Sequence, residues 1–283
     1  MESIRPEPSG IRQRALEALC MADPVAKQEA THALQRMAQA THDCALAAEA
    51  APDLQEPAGV HLPGRPARPA LVPPGSVPQR SPFTAGGLAA LLHAIAHIEF
   101  NAINLALDAV WRFAGMPVGF YRDWLRVADE EALHFGLVRR ELQALGHDYG
   151  DFEAHDGLWE MCVRTRGDVT ARMALVPRTL EARGLDATPL IQARLRQAAT
   201  PAAQRAIGVL DVILRDEIGH VAVGNRWYAW LCGQQGLQPV AHYRQLTRLH
   251  RAPRLRPPFN EEARRAAGFT QDELDDLVRA AQG

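Results

Sequence analysis

The chain has 283 residues, 47% hydrophobic and 23% charged, enough to bury a sizeable core in one large or extended domain. Its formal net charge of -2 excludes a chain built throughout to bind polyanions. The opening MESIRPEPSG lacks the apolar core of a signal peptide, and no apolar run is expected to be long enough to span a bilayer. The four cysteines, Cys20, Cys44, Cys162 and Cys232, are scattered and form no CxxC pair, so neither a disulfide framework nor a thiolate metal site is expected, and a reducing cytoplasm is the default compartment.

Residues 1–50 are expected to form a helical hairpin, with Ile11, Ala15, Leu16 and Leu19 at helical spacing and a break at Asp23-Pro24. Over residues 51–83 the chain turns Pro-rich (PGRPARPALVPP), which rules out a regular helix or a central strand and predicts an extended strap or a linker. Residues 84–232 read as helical throughout. A first long helix ends near Phe113, before Gly115-Met116-Pro117, and a second runs from about Phe120 to Leu145. A third is expected from about Gly157 to Arg183, with Gly184 in the C-terminal position and a separate short piece from Pro189. The fourth runs from about Pro201 to Leu231. Residues 233–283 form a C-terminal extension with a Pro-Arg-rich stretch and a last helix near Thr270. Runs of β-branched alternation are missing, so the predicted class is all-α.

The informative residues are acidic ones that interrupt apolar stripes. Trp124, Val127, Phe135, Val138 and Leu142 recur at three- and four-residue spacing, and Glu131 and His134 fall among them. Leu210, Ile213, Leu214, Val221 and Tyr228 define a second stripe, interrupted by Glu217 and His220. Leu92, Ile95, Ala96, Ala102, Ile103 and Ala106 define a third, with Glu99 inside it. A buried lone carboxylate is costly, so such groups are normally paired or bound to metal. Glu-x-x-His sets both side chains on one helical face, within reach of one ion. The order Glu99, Glu131/His134, Glu181, Glu217/His220 on successive helices is the ligand arrangement of ferritin-like di-iron carboxylate bundles, which predicts a four-helix bundle holding two metal ions, iron first and manganese as an alternative. A further match, Glu29/His32, lies in the hairpin and shows how readily the pattern arises by chance. In such a bundle residues 146–156 must cross the bundle's length, roughly 35 Å for about eleven extended residues.

Asp216 and Glu130 are candidates to orient the ligand histidines through their outer nitrogens, against the plainer alternative of surface charge. His93 and His97 read as packing histidines, Trp111, Trp124, Phe135, Met173 and Tyr228 as core, Tyr121 and Tyr228 as conceivable radical carriers, and Pro177 as a kink or an opening beside the metals. The arginines from Arg244 to Arg256 read as a tail packed back on the bundle, with tRNA the one nucleic-acid partner left open.

The segments HAIAHIEFNAINLALDAVWRF, DWLRVADEEALHF, HDGLWEM, MALVPRTLEARGLD and DEIGHVAVGNRWY resemble the bacterial ferritin-like proteins of the DUF455 family. The resemblance implies the same fold and metal site but no particular activity. EARG is also similar to a short segment of the tRNA-modifying di-iron hydroxylase MiaE.

The leading expectation is an O2-activating oxidase or hydroxylase of an unknown small organic substrate, supplied with electrons by a separate donor protein, with a homodimer as one assembly left open. The alternatives are a ferroxidase or peroxide-reducing metal handler, and a scaffold in which the metals only tie helices together.

Overall fold

The computed structural model describes residues 10–43, 46, 54–78 and 80–282. Cys44 and the ends of the 1–50 segment lie outside the described residues. The protein is an all-α helical bundle: among the described residues there is no sheet, only an isolated parallel bridge between Leu71 and Ala154.

Eleven α-helices are used below: α1 (Ile11–Cys20), α2 (Pro24–Ala40), α3 (Ala85–Arg112), α4 (Val118–Ala144), α5 (Gly157–Arg164), α6 (Val169–Leu175), α7 (Ala182–Ala198), α8 (Pro201–Gln235), α9 (Pro239–Leu249), α10 (Glu261–Ala266) and α11 (Gln271–Gln282). A π-helical turn, Val176–Glu181, joins α6 to α7. The chain divides into two compact units, residues 1–68 with 99–136, and residues 69–98 with 137–283. Each is described by itself.

In the first unit, the predicted stripe of α1 is buried, with Ile11, Ala15 and Leu19 fully covered. Asp23 caps α2 by accepting from the Ala26 N–H at 2.8 Å, ahead of Pro24 at the first helical position. Two buried cations pin this unit. Arg12 Nε donates to the Trp111 carbonyl at 3.0 Å. Lys27 Nζ donates to the carbonyls of Leu19 at 3.1 Å and Gly64 at 2.8 Å and to Asn104 Oδ1 at 2.5 Å, 4.9 Å from the centre of the Phe100 ring. The Pro-rich segment is therefore a strap here, since Gly64 also donates its N–H to Leu19 at 2.8 Å. A Cβ at Gly64 would lie 2.0 Å from the Cys20 carbonyl, so only glycine permits this approach.

In the second unit the strap continues beside the 146–156 connection, with Val72 N–H to Ala154 O at 2.8 Å and Ala154 N–H to Ala70 O at 3.1 Å. His93 and His97, on α3, hold that connection. His93 Nε2 accepts from the Gly150 N–H at 2.9 Å, and His97 meets the Tyr149 hydroxyl at 2.9 Å and the His155 carbonyl at 3.1 Å. Both are packing histidines, as their positions on α3 suggest. Burial pulls the His93 imidazole down to about 4, against the opposing pull of the Asp151 charge, so it stays neutral.

The expected third helix is corrected in three ways. It breaks after Arg164 and restarts at Val169, where Asp168 caps the new helix by accepting from the Ala171 N–H at 3.0 Å. It does not stop at Gly184, and the piece from Pro189 is not separate: α7 runs unbroken through both to Ala198. Packing overrides local preference here. Ala182 and Leu185 join Val221, Ala263, Ala267, Phe269 and Leu274 in one apolar cluster, and that burial outweighs the roughly 1 kcal/mol cost of a helical glycine. The helix ends instead at Ala199, in the left-handed region at φ 50°, before Thr200 caps α8.

The expectation of no bilayer-length apolar run also needs correction. On length and composition alone α3 would qualify, with mean hydropathy 1.3 in its most apolar stretch, but 78% of that stretch is buried inside the protein. It is a core helix.

A close approach fixes α8 against the π-turn: a Cβ on Gly224 would lie 2.5 Å from Cβ and Cγ of Pro177. Gly224→Ala is therefore expected to destabilise by about 1–3 kcal/mol through overpacking, against the usual gain from replacing a helical glycine. Gly208, on the same helix with nothing within 4 Å of its added Cβ, should gain up to about 1 kcal/mol as alanine. Urea denaturation of the two variants measures the opposite signs.

Candidate metal centre

The stripes predicted from the sequence are buried, apart from the half-buried Leu214, and so are the charged candidates: Glu131, His134 and His220 are 0% exposed, Glu99 3%, Glu181 and Glu217 7%. In the first unit α3 and α4 bring three of them together. His134 Nδ1 lies 3.3 Å from Glu131 Oε2 and 3.4 Å from Glu99 Oε2. One ligand atom from each of the three lies within 4.8 Å of the others, so small side-chain rotations bring all three onto one ion. In the second unit Glu217 and His220, three residues apart on α8, present Oε2 and Nδ1 at 3.9 Å. Glu181 closes the π-turn. Buried groups of Glu and His that could hold a metal ion are thus present.

Protons shared within the first group hold its two carboxyls and its imidazole together. Burial and the neighbouring Glu131 charge raise the Glu99 carboxyl to about 8, although His134 pulls the other way. Burial alone would lower the His134 imidazole, but hydrogen bonds and charge from Glu131 and Glu99 outweigh it and push the ring up to about 12. Two carboxylates and one imidazole form an oxygen-rich donor set suited to a divalent first-row metal such as Fe(II) or Mn(II).

The π-turn has a local cause. Pro177 has no N–H to give to the preceding turn, and the Thr179 hydroxyl donates to the Ala174 carbonyl, five residues back, at 2.7 Å. Such turns widen a helix locally and recur at functional sites.

The other candidates fall as follows. Glu130 takes the Arg126 guanidinium one turn away at 3.0 Å, and Asp216 takes Arg215 at 2.8 Å. His32 of the chance-level Glu29/His32 pair meets Asp129 at 2.6 Å. Tyr121 donates to the Phe113 carbonyl at 2.8 Å and Tyr228 to the Pro239 carbonyl at 2.7 Å, so both hydroxyls serve to anchor the backbone. Sequence reasoning missed the buried cations Arg12, Lys27 and Arg172. The signal for Lys27 was present: it falls on the face of Thr31, Leu34 and Ala38, which are all buried.

A family model described as "Protein of unknown function (DUF455)" matches residues 20–275. The chain belongs to the DUF455 family. Its match runs from the last residue of α1 into α11, so α2, the strap, α9 and α10 belong to the family pattern together with the long helices. This DUF455 chain is 52% identical over 224 residues to an "Uncharacterized protein" of Haemophilus influenzae, covering 77% of each chain. No solved structure matches it.

Proposed function

We propose that this protein is a ferritin-like two-metal carboxylate oxidoreductase, working with iron, that uses O2 to oxidise a small organic substrate. Glu99, Glu131 and His134 would hold one ion, Glu217 and His220 would anchor the other, and Glu181 would complete the ligand set. The observation that carries this proposal is the burial of both Glu-x-x-His pairs in otherwise apolar helix faces. Placing four such ionisable side chains there has a large desolvation cost, which a pair of divalent cations offsets.

Iron, when bound, would supply the redox chemistry and the open coordination positions for O2. The chain's own residues do the rest. The carboxylates and imidazoles would give up protons as metal enters, each held in place by its own helix. Apolar neighbours such as Phe135, Val138 and Val221, all 0% exposed, keep bulk water from the centre. The π-turn gives the Glu181 segment a non-α geometry, which suits a carboxylate that changes its binding mode. Electrons for repeated turnover come from a separate donor protein.

The test is anaerobic Fe(II) loading of metal-free protein, followed by metal counting and an O2 pulse under stopped-flow absorbance. Uptake of about two ions per chain and a transient visible band are expected. A stable ferric pair with no turnover in a substrate screen would favour iron oxidation for its own sake. No uptake of iron or manganese would sink the metal-site proposal.

A further inference from the structure

The second unit holds a cleft of about 270 Å³ that the metal chemistry does not use, between the π-turn, α9 and the segment from Ala252 through α11. Its lining is cationic at two depths. Arg178, of the π-turn, and Arg264, of α10, are 5% and 0% exposed, while Arg244, Arg248 and Arg254 stand exposed at the rim. The two lining carboxylates are already engaged: Glu273 pairs with Arg178 at 2.6 Å, and Asp276 pairs with Arg244.

The buried arginines are only partly satisfied. Arg178 donates to Asn225 Oδ1 at 2.7 Å as well as to Glu273, and Arg264 donates to Asp186 at 2.6 Å. Yet among the described residues the buried donors Arg178 Nε and Arg264 Nη1 meet no acceptor. Buried donors normally find one, and guanidinium donors match the oxygens of phosphate, sulfonate or carboxylate. At the rim, among the described residues, Arg248 and Arg254 bond to backbone carbonyls, those of Arg244 at 3.1 Å and Ala281 at 2.9 Å, which do not neutralise their charges.

The remaining wall is apolar and aromatic. Val240, Leu255, Leu277 and Phe269 line it with Tyr243, and the Arg178 guanidinium lies 4.6 Å from the centre of the Phe269 ring. Such a wall would not favour a bare, strongly hydrated anion.

We propose that this cleft binds a small ligand joining an oxyanion group to an apolar, ring-sized body. The arginines take the oxyanion, and Phe269, Tyr243 and Leu277 cover the apolar part. This site stands apart from the metal proposal, because none of its lining residues is a metal-ligand candidate. The link between the two is the π-turn, which carries Arg178 and, three residues on, Glu181.

The test uses the full-length, metal-free protein and isothermal titration calorimetry with three probes: phenyl phosphate, inorganic phosphate and benzyl alcohol. Phenyl phosphate is expected to bind about tenfold or more tightly than inorganic phosphate, with benzyl alcohol not binding measurably. The double variant Arg248→Ala/Arg254→Ala should weaken phenyl phosphate about tenfold or more, and Ala280→Trp, which fills the rim, should abolish binding. All three substituted positions are exposed, so unchanged melting curves are expected to show that the fold is intact. Absence of phenyl phosphate binding to the folded wild type overturns the proposal. Full-strength binding in both variants overturns the location, and equal affinity for inorganic phosphate overturns the apolar part of the ligand class. Binding that survives Glu131→Ala separates this site from the fate of the metal proposal.

Discussion

Glu131→Ala is expected to lose at least one metal ion per chain and the whole thermal gain that loading of that ion gives the wild type. Glu131 is 0% exposed and reaches His134 at 3.3 Å, so no water-accessible group can stand in for it. Metal held at about one hundred times its dissociation constant stabilises by about 2.7 kcal/mol, or roughly 5–10 °C in a chain of this length. The gain also depends on pH. Glu99 sits at about 8 in the folded, metal-free protein against an ordinary 4.5, so between those values the folded state holds a proton that the unfolded chain has released. Stability of the metal-free protein from this group therefore falls as pH rises through that window. His134, raised from 6.5 to about 12, adds a loss of the same sign at higher pH. A metal ion displaces both protons, so the difference in Tm between loaded and metal-free protein should widen from pH 6 to pH 8.5. Calorimetric melts at matched pH measure it, and the subtraction removes groups remote from the site. A difference that stays flat across this range would mean the metal does not compete with these protons.

Lys27→Met is expected to destabilise the protein by about 3–5 kcal/mol, about 6–15 °C in Tm. Methionine keeps the apolar length beside Phe100 but leaves the Leu19 and Gly64 carbonyls and Asn104 Oδ1 without the donor that Nζ supplies. The loss concentrates where α1, α2, the strap and α3 meet, so it should not be confined to one helix. Burial, helped by the Arg65 charge, pulls the Lys27 amine down to about 7 from 10.5. Unfolded chain thus binds more protons between those values, and this group's contribution to stability is lost as pH falls through 7. Chemical denaturation of wild type and variant at pH 6 and pH 9 should show a gap that is wider at pH 9.

Much of the helical plan was legible because period-3.6 patterning survives wherever one face is buried continuously. Trp124, Val127, Phe135, Val138 and Leu142 were placed on one face by spacing alone, and each is at most 1% exposed. The candidate ligands were legible for the converse reason: Glu99, Glu131 and Glu217 break such faces, and only a compensated charge is kept there. Gly184 and Pro189 misled, since both are local stop signals, yet Leu185 and Leu195 on the same helix are buried and hold it together. Lys27 was hidden by its chemistry. A lysine on a buried face is read as a snorkelling surface group unless its three acceptors are known, and two of them are backbone carbonyls distant in sequence. The cleft beside Arg178 was hidden in the same way, because it is assembled from α9, α10, α11 and the π-turn, which sequence spacing cannot bring together.

The wide turn at Val176–Glu181 also sets a phase. It takes up one more residue than an α-turn would, so every side chain from Ala182 onward is rotated by roughly 100°, one residue's step, relative to a continuous helix begun at Val169. α6 and α7 both pack on α8, so the positions they turn toward it do not follow one continuous 3.6-residue repeat. Shortening this segment by a single residue would turn Leu185 by the same step, off its apolar cluster. The turn thus acts as a fixed insertion whose length the whole of α7 depends on.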